Sequence, residues 1–158
     1  MKAMWIGVLA VGCAEPEPAE PAPTACEGAG DPSVAVGSGG LAGFDPWADG
    51  ASAPVSGEPD ALGVRLELRT EGLDTTAAVS SVVRLAVDGT SADAIANVSL
   101  QCPSEGPGWV AVFAPLPSTA QGPDAASVAG LAADLDVTVT DAGGVTASQS
   151  LGLVLAAE

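Results

Sequence analysis

Two segments of this chain alternate apolar and polar residues with a period of two, the pattern typical of a half-buried β-strand. Residues 64–70, VRLELRT, place Val or Leu at 64, 66 and 68 and charged residues between them. Residues 134–141, DLDVTVTD, place Leu or Val at 135, 137 and 139, with Asp or Thr between them. Successive side chains of a strand point to opposite faces of a sheet, so each segment should bury one face. This alternation predicts an all-β fold.

Further short apolar segments follow the same plan between residues 33 and 158, separated by Gly, Pro, Asp and Ser. The turn from Asp141 to Gly144 should join the strand at 134–141 to the final segment as a hairpin. We therefore predict an antiparallel sandwich or barrel of about seven strands over 33–158, with a long loop at 38–63 and a short helix near 125–131. The remaining predicted strands lie at 33–37, 79–87, 94–102, 109–113 and 145–157.

Residues 13–32 have a different composition from the predicted sandwich. Between residues 14 and 32 the chain holds five prolines and five acidic residues and contains no Leu, Ile, Val or aromatic residue. Such a segment cannot bury enough apolar surface to offset the entropy lost on ordering. Its prolines favour extended polyproline II structure, so we predict a disordered, semi-stiff tether over 13–32.

The first twelve residues have the features of an export signal. Lys2 supplies the positive charge, and the apolar run from Ala3 to Ala14 is about half of the ~20 residues that a membrane-spanning helix needs. Ala10 and Gly12 before Cys13 resemble the lipobox of bacterial lipoproteins. We expect cleavage after residue 12 and lipidation of Cys13, which would anchor an exported protein to the bacterial cell envelope, at the outer membrane. The alternative is an ordinary secretory signal that is cut elsewhere.

Acylation of Cys13 would leave two cysteines, Cys26 and Cys102, in a compartment where disulfides persist. We predict that these two pair, and closing so long a loop could stabilise the fold by roughly 4 kcal/mol in the chain-entropy model. The alternative is two unpaired thiols. The cysteines show no spacing typical of a metal site or a redox motif, so we expect no metal and no cofactor.

The charge of the chain excludes several classes of function. It holds 20 acidic residues against 4 basic ones, a formal net charge of −16, and has neither His nor Tyr. Nucleic-acid binding depends on Lys and Arg that neutralise phosphates, so nucleic acid is not an expected partner. Loss of residues 1–12 would remove Lys2, the only lysine. Without His or Lys, the usual general bases and Schiff-base chemistry are missing, and we predict that the protein is not an enzyme.

The segment FDPWADG, residues 44–50, is the candidate ligand loop. Phe44, Asp45, Trp47 and Asp49 could form a carbohydrate-stacking surface or supply oxygen ligands to Ca²⁺. The spacing is not that of an EF-hand, however, and Asp before Pro or Gly is common in turns. We therefore favour a turn whose aromatic side chains pack in the core.

Two other residue pairs are candidate sites. Trp109 and Phe113 would lie on the same side of a strand formed by WVAVF, and we expect both to pack in the core. Asp134 and Asp136 fall on the outward parity of one strand, some 7 Å apart by strand geometry. That separation could suit inverting glycoside hydrolysis, but an exposed pair without a cleft favours a solvated face.

Residues 43–74 carry a resemblance to a known family. The segment GFDPWADGASAPVSGEPDALGVRLELRTEGLD resembles a domain of predicted myxobacterial lipoproteins, and this likeness implies an exported Ig-like sandwich without assigning a reaction. The chain departs from that family at Leu62 and Gly63, where the family has an aromatic residue and a histidine. The matching positions are Phe44, Pro46, Asp49, Gly50, Pro54, Val55, Gly57, Val64, Leu68, Arg69, Gly72, Leu73 and Asp74.

These observations predict a lipid-anchored envelope module that binds or spaces another envelope protein or a glycan, without catalytic activity. The alternative is an accessory domain that binds Ca²⁺ or carbohydrate through loop carboxylates and aromatics.

Overall fold

The structure is a computed structural model, and it describes residues 30–39, 43–102 and 108–158. The predicted signal at 1–12, Cys13, Cys26 and nearly all of the predicted tether lie outside these residues. Cleavage, lipidation and the tether therefore stay predictions.

The described residues form nine β-strands and two short 3₁₀ helices, which confirms the predicted all-β class. The helices are Ser118–Ala120 and Ala125–Val128, the second at the place where a short helix was predicted. The strands are β1 (Ser33–Ser38), β2 (Asp45–Pro46), β3 (Ala51–Ser56), β4 (Gly63–Glu71), β5 (Val79–Val87), β6 (Thr90–Val98), β7 (Gly108–Pro115), β8 (Ala132–Thr140) and β9 (Thr146–Ala157).

The strands form one folded sheet whose hydrogen-bonded order is β2-β1-β4-β3-β9-β8-β5-β6, with β7 on the other edge of β4. Every strand pair is antiparallel except β3 with β9. We call β2, β1, β4 and β7 the first layer, and β3, β9, β8, β5 and β6 the second layer. Strand β1 contacts β8 and β9, and β7 contacts β5 and β6, so the two layers enclose a common core. The sheet is not closed, and the Ig-like topology stays a prediction.

Inward side chains of both layers build the core at the positions that the period-two pattern predicted. In β4, Val64, Leu66 and Leu68 are fully buried, and in β8 the apolar positions 135, 137 and 139 are buried in the same way. Their alternation with exposed or half-buried residues confirms that each strand has one wet face. The predicted hairpin through residues 141–144 is also present, since β8 and β9 pair antiparallel from Thr140↔Thr146 to Ala132↔Val154.

The stretch 38–63 is not the single long loop that the sequence predicted, because it contains β2 and β3. Strand β3, ASAPVS, has few residues with high β-propensity, which is why its pattern gave no strand signal. Its conformation follows from pairing with β9, at the far end of the chain, in the register Ala51↔Leu153 to Val55↔Ala157. The strand count is therefore nine instead of about seven.

The sixth strand begins and ends earlier than predicted, at Thr90–Val98 instead of 94–102. It forms a hairpin with β5, in which Val87 pairs with Thr90 across the two-residue turn Asp88-Gly89. Both turn residues have positive φ, 49° and 75°. This is the conformation that Asp-Gly favours in tight hairpins, because its twist matches that of the flanking strands.

Candidate functional site

The outer surface of the first layer collects most of the aromatic residues in the described part of the chain. Strand β7 pairs with β4 along its whole length, and the inward positions of β7 oppose Leu66 and Leu68. The alternate residues of both strands therefore face outward, in the pairs Arg65↔Phe113, Glu67↔Ala111 and Arg69↔Trp109. We call this surface the aromatic-arginine face, and define it by Phe44, Arg65, Glu67, Arg69, Trp109, Ala111 and Phe113.

Trp109 is half-buried on this face and is held by a charged neighbour on the adjacent strand. Its indole Nε1 donates a hydrogen bond to Oε2 of Glu67 at 3.0 Å. The two residues are diagonal neighbours across the β4–β7 pair, a separation that long side chains span. The main chain of Trp109 also exchanges two hydrogen bonds with Gln101, at 2.8 and 2.9 Å, so both backbone and ring are fixed.

Phe113 is 42% exposed and Trp109 is half-buried on the same outer face, so the prediction that these two residues pack in the core is wrong. Its ring lies against Gly63, where a Cβ atom would come within 2.4 Å of the phenyl Cζ and 2.5 Å of the Ala114 carbonyl oxygen. Glycine at position 63 thus permits a close approach that any other residue would obstruct. The ring is supported by the backbone of β4 on one side and meets solvent on the other.

Phe44 belongs to the same surface, although it precedes β2 in the chain. The guanidinium carbon of Arg69 lies 4.7 Å from the centre of its ring, a cation–π geometry. The ring also covers Gly37 of β1, where a Cβ would lie 2.8 Å from two ring atoms. Phe44 therefore extends the face across β1.

An open groove of about 330 Å³ runs along the outer side of β4 and β7, lined by Arg65, Glu67, Trp109, Ala111, Val112 and Phe113. Its volume is at the lower end of the range for small-ligand sites. The small side chain of Ala111 lies between the two aromatic residues of β7. The groove thus combines apolar ring surface, a guanidinium donor and a carboxylate acceptor, a set suited to binding an amphipathic ligand by stacking and hydrogen bonds.

The structure does not gather the predicted loop residues into one site. Phe44 lies on the aromatic-arginine face, whereas Trp47 is buried in the core and donates its backbone N–H to the Val36 carbonyl at 2.8 Å. Trp47 thus fits the favoured prediction of a turn with core-packed aromatics, whereas Phe44 does not. Asp45 is an exposed residue of β2, paired with Ser38. Oδ1 of Asp49 accepts a hydrogen bond from the backbone N–H of Gly152 at 2.9 Å, which attaches the loop to β9.

Asp134 and Asp136 are exposed on the outward face of β8, as the sequence predicted. They line a second open groove, of about 380 Å³, that also includes Asp49 and Ser150. The Ser150 hydroxyl donates to Oδ1 of Asp136 at 2.5 Å. Within the described ranges, no group of three or more acidic, Cys or His side chains is placed to hold a metal ion.

Asp141 is a buried carboxylate whose role is to hold a turn. Its Oδ2 accepts the backbone N–H of Asp74 and its Oδ1 accepts that of Val145, both at 2.9 Å. These N–H donors, first Asp74 and then Val145, hold the pKa of Asp141 below its usual range. The carboxylate links the β8–β9 turn to the segment after β4 and is a structural group.

Cys102 is exposed and follows Gln101, which bridges to Trp109. Because Cys26 lies outside the described residues, the pairing of these two cysteines stays a prediction. Arg84, the third arginine, lies on the outer side of the second layer and forms an ion pair with Asp93, with Nε and Oδ1 2.8 Å apart.

Comparison of the sequence with protein families and with curated proteins gave no match. In the part of the chain that the structure describes, no helix has the length and apolar character needed to cross a membrane.

Proposed function

We propose that this protein is a non-catalytic binding module of the bacterial cell envelope, anchored by lipid at Cys13, whose binding surface is the aromatic-arginine face. The observation that carries the proposal is the outward clustering of Phe113, Trp109 and two arginines on one sheet surface of a strongly acidic protein. Aromatic residues and arginine are the residue types that contribute most to binding energy at interfaces.

The distribution of arginine supports this choice of surface. The chain contains three arginines, at 65, 69 and 84. Arg84 is paired with Asp93 on the second layer, whereas Arg65 and Arg69 both lie on the aromatic-arginine face. In a chain of net charge −16, two of the three arginines therefore lie on this one surface. A partner would meet guanidinium donors there and carboxylates over most of the remaining surface.

The composition supports binding over catalysis. The chain contains no His and no Tyr, and its only lysine is Lys2. Glu67, the carboxylate that lines the groove, already accepts the Trp109 indole N–H. A carboxylate held in this way orients a ring, which is a positioning role.

Retention of the purified full-length protein on washed envelope fractions tests the binding surface, with detergent present so that the lipid does not hold the protein on membranes. We expect Trp109→Ala and Phe113→Ala to reduce retention at least tenfold, because each removes exposed ring area without opening the core. Ile95→Ala is the matched control, since Ile95 is a 72% exposed apolar residue on the second layer. Equal retention of the wild type and both face variants would refute the proposal.

The anchor needs a separate test. Cys13→Ser should move the protein from the membrane to the soluble fraction of fractionated cells, because a serine at this position cannot carry the thioether-linked lipid. Equal membrane association of the two forms would contradict the anchor and leave the binding surface untouched.

A further inference from the structure

We infer that the ligand of the aromatic-arginine face is a neutral glycan, bound in the groove between Trp109 and Phe113. This inference rests on the proposed function, since it names the chemistry of the partner for the same surface.

The shape of the groove favours a ligand with flat apolar faces and polar edges. Trp109 and Phe113 are four residues apart on one face of β7, which places their Cα atoms about 13 Å apart by strand geometry. Ala111, midway between them, leaves a depression instead of a third large side chain. A pyranose ring presents C–H groups on its faces and hydroxyls around its edge. Successive pyranose units of one oligosaccharide can cover the two aromatic rings, about 13 Å apart, while their hydroxyls meet the groove wall.

The polar groups of the groove match hydroxyls in both directions. Arg65 is exposed opposite Phe113 and can donate hydrogen bonds only, because a guanidinium has no acceptor. Glu67, diagonal to Trp109, can only accept. A hydroxyl both donates and accepts, so neighbouring hydroxyls of one sugar can satisfy both side chains. A purely apolar ligand would desolvate the Arg65 guanidinium without offering it an acceptor, which is costly.

Charge favours an uncharged ligand over an anionic one. Arg65 and Arg69 are interleaved with Glu67 on the same face of β4, so the groove has little net charge of its own. The chain as a whole has a net charge of −16, and its field repels polyanions. A cationic ligand would in turn meet the two guanidinium groups. A neutral glycan avoids both penalties, and its affinity should depend little on salt.

Displacement of the full-length protein from envelope fractions tests the inference. The protein is kept in a detergent without a sugar headgroup, and cellotetraose, maltotetraose, chitotetraose and anionic tetragalacturonate are added as competitors. We expect at least one neutral tetrasaccharide to displace the protein and to change its tryptophan emission saturably, with an affinity that changes less than twofold between 50 and 500 mM salt. Tetragalacturonate should be at least tenfold weaker.

Variants identify the contact that binds the sugar. Trp109→Ala should weaken binding of that tetrasaccharide at least tenfold, whereas Ile95→Ala should leave it unchanged. Phe113→Tyr should retain binding and Phe113→Leu should lose it, because leucine keeps apolar area without a flat ring. Equal binding by Phe113→Leu and the wild type would overturn the stacking argument.

The two proposals fail in different ways. If the face variants lose retention on envelope fractions but no neutral tetrasaccharide displaces the wild type, the glycan assignment is wrong and the binding face stands. Stronger displacement by tetragalacturonate than by the neutral sugars would also overturn the neutral glycan and leave the binding face in place. If the face variants also bind envelope fractions like the wild type, both proposals are wrong.

Discussion

Thr70→Val should stabilise this protein, because Thr70 buries a hydroxyl group that makes no hydrogen bond to the described residues. Thr70 is 2% exposed on the inward side of β4, between Val34 of β1 and Gly108 of β7. Among residues 30–39, 43–102 and 108–158, its Oγ1 is the buried side-chain N or O atom that lacks a hydrogen-bond partner. Leaving such a group unsatisfied costs roughly 1–3 kcal/mol.

Valine has nearly the shape of threonine, with a methyl group in place of the hydroxyl. The substitution therefore removes the desolvation penalty without opening a cavity. We expect a gain of about 1 kcal/mol in the free energy of unfolding, which for a domain of this size raises Tm by about 3–5 °C. Chemical denaturation should show a higher midpoint at an unchanged m value, as expected when only stability changes.

Two controls separate this effect from packing. Thr70→Ser keeps the hydroxyl and removes the methyl group, so it should lower stability by about 1 kcal/mol. Ser81→Ala removes another buried hydroxyl, but that hydroxyl donates to the Ala96 carbonyl at 3.4 Å, and its loss should give no gain. If Thr70→Val has the same or a lower Tm than the wild type, the hydroxyl has a partner, such as a buried water, and the reasoning is refuted.

The other predictions concern the core, the Asp141 turn and the cysteines. Leu66→Ala should cost about 2–5 kcal/mol in equilibrium unfolding, because Leu66 is fully buried, and Arg65→Ala on the other face of the same strand should change stability little. The lowered pKa of Asp141 gives stability that is present above the unfolded pKa of 3.8 and is lost as pH falls through the folded value. Asp141→Asn should therefore lower Tm at pH 7 and make Tm decrease less steeply below pH 4. The same decrease of Tm below pH 4 in the variant and the wild type would contradict this role. Mass spectrometry after alkylation without reduction should find Cys26 and Cys102 unmodified, and their joint replacement by Ser should cost roughly 4 kcal/mol. Two alkylated cysteines in the native protein would rule out the pair.

The strands that could be predicted are those whose evidence is local. Strands β4 and β8 each place an apolar residue at every second position, so their buried faces follow from the pleat alone. Strand β3 carries no such signal, because Ala, Ser and Pro make up most of it. Its extended conformation depends on hydrogen bonds to β9, about a hundred residues away, and no window of the sequence contains both partners.

The aromatic-arginine face was missed for a different reason. In WVAVF both parities are apolar, so alternation does not say which side faces the core. The register with β4 decides, because it sets Val110 and Val112 opposite the buried leucines and turns Phe113 outward. One signal was available in the sequence, because the charged residues at 65, 67 and 69 mark the outer face of their strand. A neighbouring strand of the same sheet must also turn every second side chain toward that outer face.

The aromatic rings of this face are held by groups outside the core, which makes binding and stability separable. Glu67 fixes Trp109, Gly63 supports Phe113, and Arg69 stacks on Phe44. Because the rings are already ordered, a ligand that covers them loses little of its binding energy to immobilising side chains. An open groove can then bind without closing. Because the inward side chains of β4 build the core, substitutions on the outer face should change binding without unfolding the protein.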